Sequence, residues 1–189
     1  EMTRLWLIRH GPTHSRRMVG WTDLPADLSD TAALARLSAA LPQAPVVSSD
    51  LIRAVDTATA ILGERPRLPH DPALREFDYG AWDNQPFDAI DSPELRCFFD
   101  TPGTPSAPGG EAWNDLSHRV ETAMNRLVAN TNPSDLVVVA HMGVILTLWA
   151  RAADLRPFDA LRQKIDNLSL TRINLTPAGP VAISANHKP

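Results

Sequence analysis

Apolar positions along the chain follow two rhythms. Short, mainly apolar runs occur at Thr3–Ile8, Val46–Ser48 and Leu136–Ala140, each bounded by polar or turn-forming residues. Such runs are the mark of strands buried on both faces. Other stretches repeat at helical spacing. Leu51, Val55, Ala58 and Leu62 form one stripe that stops at Gly63, and Trp113, Leu116, Val120, Met124 and Leu127 form another after Pro108-Gly109-Gly110. Ser29 or Asp30 is placed to cap a helix running to about Leu41, and Asp50 to cap the helix that carries the first stripe. Further helices are expected from Met142 to about Asp154 and near Phe158–Lys164, and a closing hairpin from Leu168–Leu175 and Val181–Ala185 across Pro177-Ala178-Gly179. Region 64–110 is rich in proline and reads as loops. Strands alternating with helices predict an α/β fold: a three-layer α/β/α sandwich around a mainly parallel central sheet.

Composition narrows this picture. The chain has 189 residues, of which 43% are hydrophobic and 21% charged, so a single globular domain over 1–189 is expected. Eighteen basic residues against 22 acidic ones give a net charge of −4. A nucleic-acid or membrane-surface binder would show a basic excess, so neither partner is expected. The lone Cys97 excludes an internal disulfide framework and a cysteine metal cluster. The longest apolar stretch, residues 136–150, is interrupted by His141 and falls short of the roughly 20 residues of a spanning helix. The apolar run Leu5–Ile8 is shorter than a secretory core of about 7–15 residues, so a cytoplasmic location is expected.

In a mainly parallel sheet, ligands bind where the strands end. The residues that follow the three buried runs are Arg9-His10-Gly11, Ser49 to Arg53, and His141-Met142-Gly143. Two guanidiniums there match phosphate oxygens. A helix starting at Met142 adds amide N–H groups and the positive end of a dipole. A neutral imidazole in such a cradle can attack phosphorus and form a phosphohistidine, while a second imidazole stabilises the equatorial oxygens. An acid for the leaving alkoxide is still needed, and the segment 74–80 offers Glu76 and Asp78.

Four blocks carry a resemblance: LIRHGPT at 7–13, SSDLIRAVDTA at 48–58, LREFDYGAWDN at 74–84 and VVVAHMGVI at 137–145. In this order they resemble the histidine phosphatase superfamily, the phosphoglycerate mutase-like proteins. The resemblance implies that His10 is the phosphorylated nucleophile, that Arg9, Arg53 and His141 complete the phosphate pocket, and that Glu76 is the general acid and base. It gives Asp78 no catalytic counterpart. It also implies an insert of loops and helix at about 81–111 over the active site, and no cofactor; no clustered acidic ligands stand beside the motifs to imply a metal.

The pattern departs from the family in two places. Pro12 stands where a glutamate is common, and no asparagine occurs between 11 and 20, so one of His14, Ser15, Arg16 and Arg17 is expected to supply the missing phosphate donor. The Arg16-Arg17 pair could instead meet a second anionic group. Met142 stands where a small residue is usual; its backbone N–H is the expected phosphate contact and its side chain narrows the pocket. His70, His118 and His187 read as surface or capping residues. Trp82, Phe87, Phe98, Phe99 and Trp113 read as packing under the long loops, with one or two lining a substrate pocket.

The insert from Trp82 to Glu111 has Arg96 as its one basic residue, which favours a phosphatase over a mutase that must hold a second acid group. The run 98–120 is similar to the PGGE-containing segment of α-ribazole phosphatases, with Ala112 where serine is usual. The expected function is hydrolysis of a small phosphorylated metabolite, α-ribazole phosphate being one candidate, by a monomer or homodimer. The alternatives are mutase-type phosphoryl transfer and a non-catalytic phospho-ligand-binding module.

Overall fold

The computed structural model describes all residues from Glu1 to Pro189. Its centre is a five-stranded sheet built from β1 (Thr3–Arg9), β3 (Val46–Ser48), β5 (Asp135–Ala140), β6 (Leu170–Thr176) and β7 (Gly179–His187), in the order β3-β5-β1-β6-β7. β1, β3 and β5 pair in parallel, β6 runs antiparallel to β1, and β7 antiparallel to β6. β6 alone therefore runs against the other four strands, as a mainly parallel sheet requires. β6 and β7 are the expected hairpin.

Alternate residues of the central strands feed opposite sides of the sheet. Leu5, Leu7, Leu136, Val138 and Ala140 join the larger core with α4 (Trp113–Thr131) and α5 (Met142–Ala152). Ile8, Val46, Val137 and Val139 join a smaller one with α1 (Thr31–Ala39) and α2 (Ile52–Ile61). Helices thus cover both faces, and residues Leu136 to Ala140 are wholly buried. The apolar stretch 136–150 is a strand turning into a buried helix, and no helix is long and apolar enough to cross a membrane.

The helix starts differ from expectation in one respect. Asp30 caps α1 as read, accepting from the Ala33 N–H at 3.1 Å. Asp50 does not cap α2. Its carboxylate pairs with Arg75 at 2.6 Å, and the Ile52 N–H is taken instead by Asp23, 2.7 Å away and far upstream in the chain. Within the proline-rich region lies a helix, α3 (Pro93–Asp100), started by the Ser92 hydroxyl, which accepts from the Leu95 N–H, and by Pro93 in its first turn. A short pairing of β2 (Arg17–Met18) with β4 (Gln85–Pro86) ties the 12–20 loop to this region. A four-residue helix, α6 (Pro157–Ala160), sits where the shorter helix was expected.

Candidate active site

Strand register brings the chemistry together. Arg9 is paired with Ala140, and Ser48 with Val139. The chain then leaves the sheet three times side by side, through His10, Ser49 and His141; the His10 N–H still reaches the Ala140 carbonyl and the Ser49 N–H the Val139 carbonyl. The two imidazole rings end 5.1 Å apart, both buried.

The His10 ring is fixed in one tautomer. Its Nδ1 lies 2.7 Å from the Gly11 carbonyl, which can only accept, so Nδ1 carries the proton and Nε2 keeps its lone pair. The Nε–H of Arg53 donates to that Nε2 at 3.3 Å. Burial, followed by the charges of Arg53 and Arg9, pushes the His10 pKa down to about 3, so the ring is neutral in ordinary buffer. Two unanticipated residues hold the loop beneath it. Thr57 accepts from the Gly11 N–H, and Asn167 donates to the His10 carbonyl at 2.9 Å.

Arg53 sits in the first turn of α2 with 2% of its surface exposed. Its outer nitrogens donate to the carbonyls of Gly20 at 2.5 Å and Thr22 at 2.8 Å. Those carbonyls are held in turn by Asp83, whose carboxylate accepts from the N–H groups of Gly20, Trp21 and Thr22 and from the Thr22 hydroxyl. Arg9 uses one outer nitrogen on the Ile165 carbonyl at 2.6 Å, while its Nε is buried without a partner. His141 contacts the Ser49 hydroxyl through Nε2 at 2.7 Å, and its Nδ1 is likewise buried and unpartnered. Burial, together with the surrounding cations, drives the His141 pKa well below the usual histidine value.

Glu76 is buried at the same end, and its carboxylate accepts from two backbone amides: Phe77 N at 2.9 Å and Gly143 N at 3.1 Å. The second is an amide at the start of α5, so one of the helix N–H groups expected to serve an anion is used by this side chain. Gly143 is required there, since a β-carbon would collide with Glu76 Oε1 and the Phe77 ring. The segment carrying Glu76 is pinned by Arg119, which donates to the carbonyls of Ala73, Arg75 and Glu76 and pairs with Glu111 at 2.7 Å.

A cleft of about 410 Å³ opens above these groups. Arg9, His10, Arg53 and Glu76 form its floor, and Ser15, Arg17 and Met142 are in its walls. Arg16 is exposed and does not line it; Arg17 does, with one outer nitrogen on the Asn84 carbonyl. The choice is made by the pairing of Arg17-Met18 with Gln85-Pro86. His14 turns away to Asp27 on a neighbouring surface. Of the aromatic residues, Trp82, Phe98 and Trp113 are buried in the larger core, whereas Phe87 and Phe99 reach the cleft beside Tyr79. Asp78 is outside the cleft lining and turns its carboxylate to the Gly80 N–H.

Comparison with known proteins places the chain among its relatives. The chain is 34% identical over 187 residues to a bifunctional protein of Mycobacterium tuberculosis, covering 89% of this chain and 49% of that one. It therefore spans about half the length of the first curated relatives it matches. It is 30% identical over 158 residues to the adenosylcobalamin/α-ribazole phosphatase of Salmonella typhimurium, covering 78% of each. The mycobacterial glucosyl-3-phosphoglycerate phosphatase superposes with a TM-score of 0.85 at 27% identity, over 99% of this chain and 100% of that one. The sequence profile of the histidine phosphatase superfamily (branch 1) matches residues 5–188, and the chain belongs to that family.

Proposed function

We propose that this chain hydrolyses a phosphate monoester through a phosphohistidine on His10. One observation carries the reading: two buried nitrogens without partners, Arg9 Nε and His141 Nδ1, accompany the lone pair of His10 Nε2. Buried polar groups are rarely left unpaired, and donors in this arrangement suit an anion.

In the proposed reaction Nε2 attacks phosphorus, the P–O bond to the alcohol breaks, and the departing alkoxide takes a proton from Glu76. Water then attacks the phosphohistidine, gives its proton to the Glu76 carboxylate, and releases inorganic phosphate with His10 restored. Arg9, Arg53 and His141 offset the charge on the transferring group. Each Glu76 oxygen accepts one amide hydrogen and so keeps a lone pair for this proton traffic.

The alcohol half of the substrate meets a lining that includes Tyr79, Phe87, Phe99 and Met142 together with Thr13, Ser15 and Arg17. Phe87 and Met142 are 49% and 37% exposed, which leaves apolar surface for a ligand to cover. A small metabolite whose alcohol carries a ring suits this lining better than one bearing several acid groups, and α-ribazole phosphate is the specific candidate.

Phosphate release from p-nitrophenyl phosphate tests the reaction. The wild type turns over, and His10→Ala loses at least about 10³-fold in kcat. Equal rates would remove His10 as the nucleophile, and silence from both proteins would favour a binding module. A panel of α-ribazole phosphate, glucosyl-3-phosphoglycerate and phosphoglycerates then ranks the substrates; preference for the phosphoglycerates would overturn the ring-bearing assignment.

A further inference from the structure

His141 and its serine partner carry a separate conclusion about how the second imidazole is made useful. A neutral imidazole has one proton and two nitrogens, and it can donate to a phosphoryl oxygen only from the nitrogen that holds the proton. Burial and the neighbouring cations keep the His141 ring neutral. Which nitrogen is protonated therefore decides whether the ring attracts an anion or presents a lone pair to it.

The surroundings of Nε2 settle that choice. Ser49 Oγ lies 2.7 Å from Nε2, and both residues are wholly buried. The Ser49 oxygen already accepts from the Leu51 N–H at 3.3 Å. Its position is fixed from the sheet, with the Ser49 N–H on the Val139 carbonyl and the Ser48 hydroxyl on the Ser49 carbonyl. A hydroxyl has one hydrogen to give. If that hydrogen goes to Nε2, every polar atom of the pair is used except Nδ1–H, which no protein group takes. The opposite arrangement puts the proton on Nε2. It strands the serine hydrogen, and Nδ1, which has no protein partner, becomes a bare lone pair. Buried groups are not left unpaired at that cost.

We propose that Ser49 is a positioning residue: its hydroxyl donates to His141 Nε2 and locks the ring in the Nδ1–H tautomer, so that Nδ1 donates to a phosphoryl oxygen. This rests on the phosphoryl-binding reading of the cleft. It goes beyond it by assigning the proton and naming the side chain that sets it. Partners on the far nitrogen of a functional imidazole commonly fix its tautomer in this way.

Nitrogen NMR of protein labelled with ¹⁵N-histidine tests it, with the His141 signals assigned by their loss in His141→Gln. The wild type is expected to show a pyrrole-type Nδ1 and a pyridine-type Nε2, with the Nδ1 signal moving on titration with inorganic phosphate. Ser49→Ala should mix the two tautomers and lower kcat/KM on p-nitrophenyl phosphate about 10- to 100-fold. Ser49→Thr, which retains the hydroxyl, should restore both. A proton on Nε2 in the wild type overturns the proposal, and so does a Ser49→Ala protein whose tautomer is unchanged, whatever its activity. If Ser49→Ala does not fold, the wild-type spectrum alone decides. If the chain hydrolyses no ester, the function proposed above falls, while the tautomer spectrum still judges Ser49.

Discussion

The floor of the cleft and its mouth are built on different principles. The floor comes from strand ends, the first turn of α2 and the 74–80 segment: His10, Arg53 and Glu76 are buried and held by backbone carbonyls and amides, and His141, buried beside His10, is held by the Ser49 hydroxyl. The mouth comes from the 12–20 loop and the proline-rich region, joined by the two-residue pairing of β2 with β4, and Phe87 and Met142 stand half-open to solvent there. Groups that handle charge need fixed positions and little water, because that is where dipoles act most strongly. Groups that receive a variable alcohol need only surface. The contrast teaches that, in the proposed function, the sheet holds the groups for the reaction and the loops hold the surface for the substrate, in keeping with how function is distributed between scaffolds and loops.

Substitutions can break or sharpen this division. The largest effect is expected on the floor. Glu76→Gln keeps the size of the side chain but loses the proton and one of the two amide acceptors, so kcat should fall about 10²-fold for esters of poor leaving groups and much less for p-nitrophenyl phosphate. A loss that is uniform across leaving groups would remove Glu76 as the acid and leave it a structural acceptor for Phe77 and Gly143.

Acid stability comes next. Folded His10 has a pKa of about 3, against about 6.5 in an unfolded chain. Below about pH 6.5 the unfolded chain therefore binds a proton that the folded one refuses, and stability falls as the pH drops from about 6.5 toward about 3. His141 acts in the same direction. His10 contributes up to about 1.4 kcal/mol per pH unit in that window. Urea midpoints of wild type and His10→Asn between pH 7 and 4 measure it. The variant should have the flatter slope, and parallel slopes would show that the floor does not exclude protons.

The smallest effect belongs to the mouth. Phe87→Ala should change stability by no more than about 0.5 kcal/mol, since the ring is half exposed. It should raise KM a few-fold, about 3 to 10, for ring-bearing esters and leave glycerol phosphate unchanged, the loss being one apolar contact. An equal change for both esters would end the separation of floor from mouth.

What the sequence revealed follows the same line. Val46–Ser48 and Leu136–Ala140 were legible as strands because burial on both faces leaves no charged residue in the run, and the residues that end them mark the rim. Arg9, His10, Arg53 and His141 could be placed for that reason. The α3 helix was hidden by the prolines around it, although Ser92 before Pro93 is a start signal. Asp23 capping α2 in place of Asp50, and Arg17 rather than Arg16 facing the cleft, are decided by pairings between distant segments. Neither leaves a local trace. Thr57, Asn167 and Asp83 act on backbone groups of other loops, so no spacing announces them.

The close approach of Gly143 to Glu76 bears on how the gene can drift. Every missense change of a glycine codon introduces a β-carbon, and at this position a β-carbon lands on the carboxylate oxygen and the Phe77 ring. The aliphatic residues of the core can exchange among one another at modest cost. Position 143 has no neutral neighbour in the genetic code while Glu76 and Phe77 keep their places, so inheritance is constrained even where the chain has no side chain at all.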